Sequence, residues 1–134
     1  MGNVLLVRNL NVDFMAPEGR IEAVRGVSFR VPQGKTVALV GESGSGKSVV
    51  SQSIMGILPK AGRISAGEII FFDPDKPQSF VDIVKLKEPE IRKLRGGRIS
   101  IIFQEPMTSL SPLHTIGDQI SEAFLLHNTA TRAE

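Results

Sequence analysis

The octapeptide Gly41-Glu42-Ser43-Gly44-Ser45-Gly46-Lys47-Ser48 fits G-x-x-x-x-G-K-[ST], a spacing suited to holding the phosphates of a nucleotide. Its glycines let successive backbone N–H groups turn inward around an anion, and a helix opening directly after them adds roughly half a unit of positive charge. In such a loop the Lys47 ammonium reaches the β- and γ-phosphates, and the Ser48 hydroxyl ligates the Mg2+ bridging them. Gly41, Glu42, Ser43, Gly44, Ser45, Gly46 and Val49 are the accompanying candidates for nucleotide contact. The competing reading is a Gly/Ser turn that ends in Lys-Ser by chance. The flanking elements decide between the two.

A phosphate loop of this kind requires a buried strand before it and a helix after it. Residues 36–40, Thr-Val-Ala-Leu-Val, form a continuous apolar run of the kind expected for a strand buried on both faces. Beyond the loop, Val49, Val50, Ile54, Met55, Ile57 and Leu58 recur with mostly helical spacing, and Pro59 supplies a stop. Upstream, residues 4–14 and 21–31 read as two strands joined by a turn over 15–19, with a further turn at Pro32-Gln33-Gly34. Downstream, a strand is expected over 67–72, a polar loop over 73–79, a short helix over 89–95 and another buried strand over 99–103. Thr115 is placed to cap a last helix whose apolar face is Ile116, Ile120, Ala123, Phe124 and Leu126.

The chain has 134 residues, enough for one hydrophobic core, with 41% hydrophobic and 22% charged residues as in ordinary globular domains. It contains no repeat, heptad array or low-complexity tract. The isoelectric point of about 9.2 suggests a nucleic-acid partner until the charges are counted. Sixteen basic residues face 14 acidic ones, and with no Cys, no Tyr and two His a small surplus lifts the isoelectric point far. No nucleic-acid partner is expected on charge. The lack of cysteine excludes disulfides and thiolate metal sites and fits a reducing compartment. The first ten residues lack the pattern of a secretion signal, and no apolar stretch approaches the ~20 residues of a membrane-spanning helix. Any membrane association is expected to be peripheral.

A second signal follows the expected strand at 99–103. Gln104 stands at its end, where ligands meet the sheet in open α/β folds, and an amide there can contact Mg2+ or orient an attacking water. A loop glutamine without any role is the plain alternative.

GESGSGKS, followed by IIFQEPMTSLSP and then TIGDQISE, resembles the ATPase subunits of bacterial oligopeptide, dipeptide and nickel importers in the ATP-binding cassette superfamily. The similarity covers essentially the whole chain, including the opening strand, the turn near Gly19 and AVRGVSF before the loop. It implies an α/β fold: a P-loop NTPase core with an N-terminal antiparallel β subdomain, incomplete at the C-terminus. Residues 1–134 would then form the N-terminal part of one cassette domain, with a helical subdomain starting after about 105. The resemblance also implies that Gln104 is the Q-loop glutamine sensing the γ-phosphate and Mg2+, and that the segment after it lies near membrane subunits. Phe14 falls near the aromatic that stacks on adenine, where the family often has Tyr; a plain strand-core Phe is the alternative. ATP and Mg2+ are the implied cofactors. The implied partners are transmembrane permease subunits and a second ATPase subunit, at the cytoplasmic face of the cell membrane.

Such cassettes also need an LSGGQ-type signature, a Walker B strand ending in Asp-Glu, and a switch histidine. None lies between Glu105 and Glu134. Residues 69–73 imitate the Walker B strand, but Pro74 stands where the catalytic Glu would be, and they read as a strand entering a loop. His114 and His127 sit in no context resembling the switch histidine. Without water activation and the partner signature the chain alone should bind Mg-ATP and hydrolyse it poorly. Two readings are carried forward: the front part of a transport ATPase, and a naturally short non-catalytic nucleotide-binding protein. A DNA-associated cassette ATPase is disfavoured by the importer-like loop and the small charge surplus.

Overall fold

The computed structural model describes residues 2–42, 44–76, 78–104 and 112–127, the last stretch without the side chains of 123–125 and 127. Ser43, residues 105–111 after Gln104, and Ala123 and Phe124 of the expected apolar face therefore lie outside what is described. The chain divides into two compact units, residues 1–91 and 92–134.

The first unit is built on the expected hairpin. β1 (Asn3–Ala16) and β2 (Gly19–Pro32) pair antiparallel from Asn3↔Pro32 to Ala16↔Gly19 around a turn at Pro17 and Glu18. β3 (Gly62–Phe72) lies on the other side of β1, and β4 (Phe80–Asp82) pairs with the end of β3, giving the order β2-β1-β3-β4. Central β1 carries Val7, Leu10 and Val12, and β3 carries Ile69, all fully buried. Each such side chain contributes about 1.5–3 kcal/mol over leaving it exposed. β4 runs into a single 3-10 turn, Ile83–Lys85, where the Asp82 carboxylate accepts from the N–H groups of Ile69 (3.2 Å) and Val84 (3.1 Å). Asp73 at the end of β3 accepts from the Asp75 N–H at 2.9 Å. The 69–73 segment is thus an antiparallel strand entering a turn, as read.

β3 starts five residues earlier than its apolar run suggests, because Gly67 continues the strand instead of breaking it. β1 bulges opposite it: the register slips between Val7 and Leu10 against β2, and between Arg8 and Asn11 against β3. Asn9 takes a left-handed φ of 49° inside the bulge, which Asn tolerates better than most residues. Side chains replace the lost ladder bonds: the Asn9 N–H donates to Ser28 Oγ at 2.8 Å, and the Gly26 N–H donates to Asn11 Oδ1 at 3.1 Å. A Cβ on Gly67 would lie 2.5 Å from the Asn9 carbonyl oxygen and 2.6 Å from Leu10 Cα.

Between β2 and β3 comes α1 (Lys47–Met55), which buries Val50, Ser53 and Met55. It ends at Gly56, left-handed with φ 68°, two residues before the apolar spacing runs out. The expected strand at 36–40 does not form: these residues have no regular structure, and Val40 is 89% exposed. Its apolar run suits a strand flanked on both sides, and among the described residues no strand pairs with it.

The second unit shows the same correction. α2 (Glu88–Leu94) spans the boundary near the expected 89–95, but 99–103 holds no strand, only a parallel bridge between Arg95 and Ile99. Ile102 is 93% exposed. α3 (Ile116–His127) forms as expected, with the Asp118 N–H donating to Thr115 Oγ1 at 3.1 Å, and its Ile116 and Ile120 are exposed.

Replacing Gly67 by Ala should cost about 3–4 kcal/mol, since the new Cβ meets backbone at a φ of 105°. Gly19→Ala is the control: φ is 128° but no atom lies within 4 Å of the added Cβ, so only about 1–2 kcal/mol is expected. Urea unfolding compares the two, and equal costs would refute the close approach at Gly67.

Candidate phosphate-binding site

The loop geometry follows from its glycines. Gly44 (φ 83°) and Gly46 (φ 98°) lie in the left-handed region, where a side chain is strained. The Ser45 N–H donates to the Glu42 carbonyl at 3.1 Å, closing a turn. A Cβ on Gly41 would lie 2.6 Å from Ser45 Oγ. Gly46 is the N-cap of α1 and offers no side chain to its first N–H groups, while the Val50 N–H donates to its carbonyl at 3.0 Å. The first-turn N–H groups thus remain available to an anion.

Lys47 folds back over the loop, its Nζ donating to the carbonyl oxygens of Gly41 and Glu42. Those carbonyls hold the ammonium above the turn it would serve. Ser48 is exposed in the first turn of α1, and Val49 is half-buried after it. Gly41, Glu42, Gly44, Ser45, Gly46, Lys47, Ser48 and Val49 are therefore contiguous around one turn, as the motif requires.

The loop rests on the outer edge of β2. A Cβ on Gly46 would lie 2.9 Å from the Ala23 carbonyl oxygen and 3.5 Å from Val24 Cγ2. Between loop and strand opens a cleft of about 560 Å³, with Glu22, Ala23, Val24 and Arg25 on one wall and Gly44 to Lys47 on the other. That volume suits a small-molecule ligand. Val40, expected inside a sheet, instead lines this cleft.

Charge on the β2 wall is organised around Glu22. Its Oε1 accepts from Arg20 Nη2 at 3.1 Å, and its Oε2 lies 3.5 Å from Arg25 Nε. Arg20 Nη1 also lies 3.5 Å from Oδ2 of Asp13, a carboxylate only 3% exposed. No motif assigns a role to Glu22 or to Arg25, although Arg25 lies within AVRGVSF. They fall inside an expected strand, and only the docking of loop on strand reveals that they face the cleft.

Phe14 pairs with Ile21 and Gly62, and its ring packs on the glycine: a Cβ there would lie 2.9 Å from Cε1. It is half-buried and is not among the residues lining the cleft. Gln104 lies in a bend in the second unit and is exposed. Among the described residues no three His, Asp or Glu side chains gather into a metal site.

Residues 24–134 match the model of the ABC transporter family. The dipeptide transport ATP-binding protein DppD of Bacillus subtilis (strain 168) is 47% identical over 133 residues, which are 98% of this chain and 38% of that protein. The DppD protein of Lactococcus lactis subsp. cremoris (strain MG1363) is 49% identical over 93% of this chain and 34% of its own length. The glutathione import ATP-binding protein GsiA of Escherichia coli (strain K12) is 42% identical over 99% of this chain and 21% of its own length. The chain thus spans between about a fifth and two fifths of these relatives, in their N-terminal region. Among solved structures, the dimeric bacterial ABC transporter cassette MJ0796 superposes with a TM-score of 0.75 at 23% identity, over 95% of this chain and 49% of that one. The glycine loop, its lysine and the helix behind it therefore sit in a cassette fold, and the chain belongs to the ABC transporter family.

Proposed function

We propose that this chain supplies the Mg-ATP-binding loop of an ATPase that couples nucleotide binding and hydrolysis to uptake of peptides or a related solute. The observation that carries the reading is the turn at 41–48, with its left-handed glycines, Lys47 and uncapped α1 start. These residues suit a triphosphate. Inward N–H groups and the helix N-terminus bind its terminal oxygens, Lys47 exchanges two carbonyls for the β- and γ-phosphates, and Ser48 offers a hydroxyl to Mg2+. When bound, Mg2+ neutralises charge developing on the phosphates. Gln104 is the proposed γ-phosphate and Mg2+ sensor, and Phe14 the proposed adenine neighbour.

The importer reading is supported by the names of the relatives, which are ATP-binding proteins of dipeptide transport and glutathione import. It brings with it permease subunits, a second cassette and a place at the cytoplasmic face of a membrane. No helix among the described residues is long and apolar enough to cross one.

At 100 times its dissociation constant, Mg-ATP should stabilise the chain by ~2.7 kcal/mol, read as a rise in Tm. Lys47→Ala should abolish the rise. A rise of equal size in the variant would end the phosphate-loop assignment.

Ser48→Ala tests the metal role separately. The wild type should show a larger ATP-induced rise with Mg2+ than with a chelator present, and the variant should lose most of that difference. A difference preserved in the variant would remove Ser48 as a ligand.

A further inference from the structure

Glu22 and Arg25 are the charged side chains that β2 brings to the cleft beside the phosphate loop. Arg25 is 78% exposed, and its one recorded contact is Nε to Glu22 Oε2 at 3.5 Å. Its two terminal nitrogens have no partner among the described residues. An exposed pair at this distance contributes little to the fold, so stability does not account for a guanidinium at this position.

The arrangement around it cancels the negative charge of the wall. A lone Glu22 would repel phosphate, but each of its oxygens faces an arginine, Arg20 on one side and Arg25 on the other. Counting Asp13, which shares Arg20, two guanidinium groups balance two carboxylates, so the wall does not repel an anion. Arg20 is held back toward the sheet by buried Asp13, so the guanidinium left with free donors is that of Arg25.

We propose that Arg25 contacts the α-phosphate of the bound nucleoside triphosphate; the proposal rests on the phosphate-loop reading above. The loop N–H groups and Lys47 occupy one wall of the cleft and engage the terminal phosphates. The rest of the ligand must then run along the facing wall, and its next anionic group is the α-phosphate. The planar fork of a guanidinium matches two phosphate oxygens, which an ammonium cannot do. Arg25 therefore selects for a nucleotide over a bare pyrophosphate, whose two phosphates the loop alone can satisfy.

Isothermal titration of the full chain with Mg-ATP and, separately, with inorganic pyrophosphate distinguishes the possibilities. Arg25→Ala should weaken Mg-ATP about tenfold, the loss of one charge-assisted hydrogen bond, and leave pyrophosphate affinity unchanged. Arg25→Lys should recover part of the loss. Wild-type affinity for ATP in Arg25→Ala, or a parallel loss of pyrophosphate, would overturn the proposal. Lys47→Ala keeps the two readings apart: it should lose both ligands. If it retains both, the phosphate-loop reading fails and takes this one with it. If it loses both while Arg25→Ala loses neither, only the role of Arg25 falls.

Discussion

The contact on which the site depends is between two pieces of backbone, Gly46 and the Ala23 carbonyl oxygen. A Cβ at Gly46 would stand 2.9 Å from that oxygen, so any other residue would push the loop off the strand. The φ of 98° at the same residue also starts α1, aiming its first N–H groups into the turn. One glycine thereby fixes the shape of the loop, the direction of the helix dipole and the wall that faces both. Lys47 and Ser48 inherit their positions from it.

That contact is useful only if β2 is held still, and β2 is an edge strand. Its rigidity comes from β1, paired on both sides, and from the bulge at residues 8–11, where asparagine and serine side chains replace lost ladder bonds. Bulges increase local twist and bend a strand. Here the bend lies in the same hairpin that carries Ala23 and Arg25. Gly67 permits it by letting β3 pass within contact distance of the bulged backbone.

The loop and its helix were legible in the sequence because their chemistry is local: each glycine, the lysine and the serine act at fixed offsets. The hairpin was legible because two apolar runs, 4–14 and 21–31, flank turn residues at 15–19, and each strand that forms extends its run to 14 residues. The runs at 36–40 and 99–103 were misread for a physical reason. Continuous apolar residues specify burial, whereas a strand exists only where another backbone takes its hydrogen bonds; among the described residues no strand pairs with 36–40, and 99–103 has only the single bridge of Ile99 to Arg95. The place of Glu22 and Arg25 on the cleft was not legible, even with Arg25 inside AVRGVSF, because it arises from a contact between segments some twenty residues apart.

The hairpin register and the charge of the cleft are one problem with one solution. Asp13 and Glu22 are cross-strand partners, and like charges placed opposite each other destabilise a sheet. Asp13 is also buried, where an unpaired carboxylate is costly, and its Oδ2 has no hydrogen bond. Arg20 addresses both difficulties by directing Nη1 at Asp13 and Nη2 at Glu22. It can do so only from its place beside the turn, where it pairs with Met15. A register slip of one residue would turn Asp13 to the opposite face and release Arg20. Held in register, Arg20 offsets Asp13 and Glu22 and leaves Arg25 as the more exposed guanidinium of the two.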